Sequence, residues 1–360
     1  MPLLPLVGHD AAKAQVQKSL AEGRLPQMLL LVGPSGIGKQ RFGLWLAQAL
    51  FCEGADRPCG TCRSCLQVAG LAHPDLHWFM PVPRPKASEP DKQVEELAEA
   101  IGAVIEERRS QPLWQPADGL AGHFVATARL LQRRAALTPV QGKRKVFLVA
   151  EADRLVPQES SPEAANALLK LLEEPPADST FLLTVTDANR LLPTIRSRLI
   201  PLRLGRLHDG EVERFLADHA GASGMALGRM VSAGEGSIGR ALAAGDDSAK
   251  ATRAVDELLK AVTSGPAGRA ERALKQGPWA ARGDFTAMLD ALADTLADAA
   301  RQAAGGRARR PLPEALSRPH AVSALVTAQE KVARAREAAQ GNVNPQLLLM
   351  ALADDLAEVL

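Results

Sequence analysis

Four short apolar runs divide the first half of the chain: Met28–Val32, Val146–Ala150, Phe181–Thr186 and Ile200–Leu204. Each is too short for a helix and is flanked by turn residues, which predicts buried strands. Between and around them the apolar positions recur with helical spacing. Residues 9–22 read as a helix with Asp10 as its cap and Gly23 as its stop, and a second helix runs from Lys39 to about Leu50. The Pro-rich stretch from Met80 to Pro90 predicts a loop, and residues 91–137 predict helices broken near Pro112 and Gly119. Asn166–Glu174 is an amphipathic helix stopped by Pro175 and Pro176. Strand and helix alternating in this way build a parallel sheet with crossover helices.

The second half has no strand pattern. Residues 207–245 read as short helices with glycine breaks, and Gly245-Asp-Asp-Ser as a linker. From Ala249 the period is helical almost throughout, broken at Gly305-Gly306 and at Pro311 and Pro313. Asn344-Pro345 predicts an N-cap followed by proline at the first helical position. The last helix has a wide apolar face (Leu347, Leu348, Met350, Ala351, Leu352, Leu356, Leu360), suited to a core or to a subunit interface.

The first strand leads directly into Gly33-Pro-Ser-Gly36-Ile-Gly38-Lys39. This is G-x-x-x-x-G-K between a strand and a helix, the setting of a phosphate-cradling P-loop. Its glycines let backbone N–H groups approach a phosphate, the helix N-terminus adds a favourable dipole, and Lys39 reaches toward the β- and γ-phosphates. The next residue is Gln40, where such loops carry a Ser or Thr that ligates Mg²⁺. The second strand ends in Ala150-Glu151, where a P-loop ATPase has a Mg²⁺-binding Asp followed by a water-positioning Glu. Both protein ligands for Mg²⁺ are therefore absent, which predicts weak nucleotide binding and negligible hydrolysis. Asp153 lies beyond the strand and reads as a helix cap or a surface charge rather than a replacement ligand. His77 and His123 read as surface or packing residues and take no role.

All four cysteines of the chain fall within residues 52–65, as Cys52, Cys59, Cys62 and Cys65. One Cys followed by two overlapping C-x-x-C units matches a closed tetrahedral Cys₄ zinc site, which is structural rather than catalytic. Free thiols or a redox pair are the alternative. Clustered cysteines, unlike a spread disulfide framework, point to a reducing, cytoplasmic setting.

The bulk numbers add exclusions. With 360 residues, 46% hydrophobic and 23% charged, the chain has the composition of a globular protein of two or three domains. Its net charge of +2 is no overall polyanion signature. The first residues, MPLLPLVGHD, lack a signal-peptide pattern, and no run of 18 apolar residues predicts a membrane span.

Asn166–Pro176 (NALLKLLEEPP), Arg196-Ser197-Arg198-Leu199, His73-Pro74-Asp75, Gln141–Val146 (QGKRKV) and the cysteine insert after the P-loop helix together resemble bacterial clamp-loader subunits of the AAA+ superfamily. The resemblance covers most of residues 1–245. It implies an α/β AAA+ module over residues 1–205 with a zinc insert at 52–70, a small helical lid at 206–245, and an all-helical collar for oligomerisation at 246–360. It also implies a hetero-oligomer with gamma/tau and delta subunits, acting on a sliding clamp and primed DNA. Arg240, in Gly236-Ser-Ile-Gly-Arg, is given the sensor-2 position facing a γ-phosphate. Ser197-Arg198 resembles the family's S-R-C motif, with Leu199 where Cys is usual, and implies an arginine finger that serves a neighbouring subunit's ATP. Because Arg198 follows a strand, it is expected near the nucleotide edge of the sheet.

Three readings follow. The chain is a catalytically poor assembly subunit of the loader, a competent gamma/tau-type ATPase of the same machine, or a zinc-ribbon DNA-binding protein with an incidental P-loop. Gln40 and Ala150 count against the motor. The balanced charge of the insert, Glu53 and Asp56 against Arg57 and Arg63, counts against the DNA-binding module.

Overall fold

The computed structural model describes residues 3–113, 121–155, 163–244, 246–277, 284–308, 312–339 and 343–360. The expected breaks at Gly119 and Pro311 lie outside these residues, as does Gly245; the rest of the linker expected there, Asp246-Asp247-Ser248, is helical instead. The chain forms two compact units, residues 1–242 without 117–119, and residues 243–360.

The first unit begins with α1 (Asp10–Ala21), β1 (Met28–Val32), α2 (Lys39–Phe51), α3 (Arg63–Ala69) and β2 (Leu76–Phe79). It continues with α4 (Pro90–Ser110), α5 (Val125–Ala135), β3 (Lys145–Val149), α6 (Glu163–Glu173), β4 (Ser179–Val185), α7 (Pro193–Arg196) and β5 (Ile200–Arg203). Three short helices, α8 (Asp209–Ala220), α9 (Gly224–Gly234) and α10 (Ile238–Ala243), complete it.

The five strands form one sheet in the order β2-β3-β4-β1-β5, every pairing parallel. Sheets covered on both faces read as continuous apolar runs, and β3 and β4 are buried at every position. Phe147 of β3 stacks on Phe181 of β4 at 4.9 Å between ring centroids. Gly43 on α2 has no side chain to hold Leu148 off, so the helix lies close on the sheet. The expected strands are all present. The fifth, β2, is not apparent as a strand in the sequence: it is four residues long, at the sheet edge, between Pro74 and Pro81. A second difference lies at the first helix. Asp10 is a first-turn residue paired with Lys13 at 2.6 Å, and His9 in the left-handed region precedes it without a side-chain cap.

Two of the sequence motifs meet at the start of β3. The buried Asp75 carboxylate accepts the backbone N–H groups of Val140, Gln141 and Gly142 at 2.5, 2.8 and 3.0 Å. The basic turn before β3 is thereby tied to the His73-Pro74-Asp75 segment. Lys145, despite its charge, is only 2% exposed. Its ammonium donates to the carbonyls of Ala135 (2.6 Å) and Leu137 and lies 3.5 Å from the Asp178 carboxylate. A buried charge needs such partners, and here three oxygens supply them.

Helices α8–α10 carry a small apolar cluster of their own (Leu207, Val212, Leu216, Ala241). The second unit contains α11 (Asp246–Thr263), α12 (Pro266–Leu274), α13 (Asp284–Ala303), α14 (Val322–Ala338) and α15 (Pro345–Val359). Its core includes Leu258, Phe285, Leu292, Leu325, Val332 and Leu349. Asn344 caps α15 as predicted, its side chain accepting from Gln346 and Leu347 N–H, with Pro345 next. Of the apolar face expected on α15, Leu352 and Leu356 are buried, whereas Leu347 is 69% exposed.

Candidate functional site

Because all strands are parallel, the sheet has two chemically different edges. The loop after β1 lies at the carboxyl edge, where open α/β sheets bind ligands. Gly36 and Gly38 both have positive φ, +73° and +96°, as a cradle of this shape requires. Among the described residues, no group accepts from the N–H of Gly36, Ile37 or Gly38. Lys39 is buried, and its ammonium donates to the carbonyls of Gly33 and Pro34, both at 2.7 Å. Burial pulls its pKa down to about 8, against the opposing pull of the Asp153 and Glu151 carboxylates.

The same loop is fastened on its carbonyl side by the start of α10. Ser237 Oγ donates to Ser35 O at 3.0 Å, and Gly239 N–H donates to Gly36 O at 2.9 Å. The approach is closed to side chains: a Cβ on Gly239 would lie 2.7 Å from Gly36 Cα, and one on Gly36 would lie 2.4 Å from Ser237 Oγ. The residue that α10 turns toward the loop is therefore Gly239. Arg240 adjoins the loop as well: a Cβ on Gly36 would lie 3.1 Å from its backbone N, which donates to Ser237 Oγ, and its guanidinium is paired with Glu235 at 3.2 Å.

Around the strand ends, Ala150 is fully buried and offers no ligand. Glu151 sits in the left-handed region (φ 50°, ψ 51°), with its N–H on Thr184 Oγ1 at 2.9 Å and its carboxylate on Arg154 at 2.9 Å. Asp153 is neither a cap nor a surface charge. It is buried, and its carboxylate accepts from Thr186 Oγ1 at 2.6 Å. His123 is fully buried behind Ala150, with Nε2 2.7 Å from the Ala150 carbonyl, and burial lowers its pKa to about 4. Gln40 accepts from Arg108, a residue that the sequence did not mark, since it lies 68 positions away at the end of α4. Arg108 also lies 4.5 Å over the Trp78 ring.

Arg198 is at the other edge. It follows α7 and precedes β5, and Ile200 pairs with Leu29 near the start of β1. This corrects the expectation that it lies near the nucleotide edge: residues just before a parallel strand lie at the amino edge, opposite the P-loop. Arg198 donates to Thr194 O at 2.5 Å and to Glu173 at 2.6 Å, and lines a surface hollow with Gln27, Leu172, Pro175 and Ile200. Arg196 bonds Asn189 at 2.6 Å instead.

The four cysteines come together as predicted, with their sulfurs within 4.8 Å of one another. Zinc with sulfurs at about 2.3 Å sets them about 3.8 Å apart, so the set fits a tetrahedral metal site with small closure. Backbone N–H groups of Gly54 and Cys59 point at Cys52 Sγ, and that of Cys62 at Cys59 Sγ, each at 3.3 Å. Such donors favour thiolate, and they hold the Cys59 thiol down at about 6. Burial pushes the Cys65 thiol up instead. Four sulfurs around one common centre are what a soft cation draws together.

Residues 8–208 match the family model described as DNA polymerase III, delta subunit. The chain belongs to that family. Among its relatives is the DNA polymerase III subunit delta' of Bacillus subtilis, 29% identical over 207 residues, covering 56% of this chain and 50% of the relative. The delta' subunit of Pseudomonas aeruginosa is 33% identical over 173 residues, 48% of this chain and 40% of the relative. A gamma/tau subunit of Mycobacterium bovis is 31% identical over 203 residues, 55% of this chain and 28% of the relative. The chain spans half or less of the length of these curated relatives. A solved gamma subunit-related protein from Thermotoga maritima aligns over 96% of this chain and 99% of its own at 15% identity, with a TM-score of 0.39. Among the described residues no helix is long and apolar enough to cross a membrane.

Proposed function

We propose that the chain is the delta-prime-type subunit of the clamp loader, cytoplasmic, assembled with gamma/tau and delta subunits. Its AAA+ module is residues 1–205, its lid 206–245 and its collar 246–360. It serves the loading of the sliding clamp onto primed DNA as a structural partner and not as a nucleotidyltransferase of the holoenzyme. Zn²⁺ is held by Cys52, Cys59, Cys62 and Cys65, and stabilises the 52–70 insert without taking part in chemistry. The P-loop (Gly33, Gly36, Gly38, Lys39, Gln40, with Glu151 nearby) holds ATP or ADP weakly and hydrolyses neither. Arg240, beside the loop, takes the sensor-2 position and faces a bound nucleotide's γ-phosphate.

The observation that carries the reading is the position of Arg198 at the edge opposite its own P-loop. From there it cannot reach a phosphate bound by its own chain, while a neighbour's ATP can approach it. A positive group delivered to a γ-phosphate stabilises charge developing in phosphoryl transfer, an effect of ~10³–10⁵ in the strongest cases and smaller in an assembly with several sites. A gamma/tau-type motor is the second reading, favoured by the gamma/tau relatives, but Gln40 and Ala150 leave such a motor without its protein ligands for Mg²⁺.

The test is Arg198→Ala and Arg196→Ala, each reconstituted with the partner subunits, with assembly and DNA- and clamp-stimulated ATPase measured. Arg198→Ala is expected to assemble normally and lower turnover, and Arg196→Ala to have a milder effect. Unchanged turnover in assembled Arg198→Ala leaves the chain a scaffold only. Metal analysis of protein purified without added metal is expected to return one Zn²⁺ per chain.

A further inference from the structure

Two cations stand at this P-loop, one expected and one not. Lys39 belongs to the motif. Arg108 arrives from the last turn of α4, and its Nη1 donates to Gln40 Oε1 at 3.3 Å. Gln40 occupies the position whose hydroxyl would ligate Mg²⁺ in an ATPase, so the oxygen that would face a metal here faces a guanidinium. The guanidinium is held in place on its flat side by Trp78, a buried residue of β2, with Cζ 4.5 Å from the ring centroid. On the other side of the site, Ala150 removes the carboxylate that would be the second protein ligand of a metal, and Asp153 is committed to Thr186. The charges of the Glu151 and Glu107 carboxylates support the cationic form of Arg108. Burial lowers the Arg108 pKa to about 10, which leaves it positive at neutral pH.

The cradle itself remains available. α10 engages the carbonyl side of the loop, at Ser35 O and Gly36 O, whereas a phosphate is taken by the N–H side. The N–H groups of Gly36, Ile37 and Gly38 have no acceptor among the described residues.

We propose that Arg108 stands in for the divalent metal at this P-loop, making it a metal-independent site for the phosphates of a nucleoside diphosphate. A guanidinium fixed by Gln40 and Trp78 supplies positive charge without the two coordination bonds that a metal needs from the protein. A γ-phosphate would bring added negative charge toward the Glu151 carboxylate, with no metal ion to offset it. The diphosphate is therefore the better match. The proposal rests on the phosphate-site reading above and is independent of any role for Arg198.

The experiment is calorimetric titration of the full chain with ADP, in MgCl₂ and in EDTA, repeated with Arg108→Gln, Arg108→Lys and Lys39→Ala, and with pyrophosphate as a base-free probe. Wild-type affinity for ADP is expected to change less than about threefold between Mg²⁺ and EDTA. Arg108→Gln, which keeps a polar group but not the charge, is expected to weaken ADP about tenfold or more in both buffers, with Arg108→Lys intermediate. ADP binding that is lost in EDTA overturns the metal replacement and leaves the phosphate site standing. Absence of ADP and pyrophosphate binding in both buffers overturns the two together. Thermal unfolding of each variant separates lost binding from lost fold, and if Arg108→Gln does not fold the wild-type comparison of buffers decides alone.

Discussion

The two edges of the one parallel sheet contrast sharply. At the carboxyl edge, groups from five elements close on one another: the P-loop on α10, Lys39 on two carbonyls, Asp153 on Thr186, Glu151 on Thr184 and Arg154, Gln40 on Arg108. At the amino edge, Arg198 is held at the surface by one carboxylate and one carbonyl. The edge where a P-loop protein does its own chemistry is braced internally, and the edge that faces outward keeps a cation on light restraint. A surface ion pair of this kind is worth about 0–1 kcal/mol, so releasing Arg198 to another partner costs little.

Substitutions on the two edges should differ accordingly. The largest effect is expected from Gly36→Ala, which places a Cβ 2.4 Å from Ser237 Oγ on a residue with φ +73°. Strain and overpacking together predict a loss of roughly 2–4 kcal/mol in urea denaturation. Gly221→Ala, also at positive φ but facing open space, should lose only about 1 kcal/mol. Equal losses at the two glycines would show that the fastening of α10 contributes nothing. Next is Asp153→Ala, which removes the hydrogen bond to the Thr186 hydroxyl; Thr186 is exposed and water can take the place of the carboxylate, so the loss should be about 0.5–1.5 kcal/mol, read in the same way.

A pH dependence follows in size. Lys39 is a cation below its pKa of about 8 and neutral above it, so its contribution to holding a phosphate is present at pH 7 and lost as pH rises through about 8. ADP affinity should fall by up to about tenfold between pH 7 and pH 9, less if the bound phosphate raises the pKa. A flat profile over that range would remove Lys39 as the binding cation. The smallest effect is the stability of Arg198→Ala, expected within about 1 kcal/mol of the unmodified chain. A greater loss would mean that Arg198 is structural, and would blur the contrast between the edges.

What could be read in advance was what local rules determine. Strand β1 and the P-loop, the cysteine spacing, the Asn344-Pro345 cap and four of five strands each depend on residues close together in sequence. The rest needed three dimensions. Arg108 meets Gln40 across 68 positions, and nothing in the α4 sequence distinguishes it from Arg109 beside it. The contact between Gly239 and Gly36 joins positions 203 apart in sequence and is set by how closely the loop and α10 approach. The burial of Asp153 depends on Thr186, which belongs to another strand's end. The edge occupied by Arg198 was accessible to reasoning, because a residue that precedes a parallel strand sits opposite the loops that follow the strands. The misplacement came from treating it as the end of β4 rather than the approach to β5.

Lys145 has a practical consequence beyond its place in the core. It lies two residues from Lys143 on the same basic turn, yet only Lys143 is exposed, while the Lys145 ammonium is enclosed by the oxygens of Ala135, Leu137 and Asp178. An amine-acylating reagent applied to the native protein should mark the first and spare the second. Peptides from this turn then carry an internal reference and a concealed reporter side by side. Mass spectrometry of the labelled turn would follow the opening of the β3 region one molecule class at a time, because Lys145 gains the label only when that region opens.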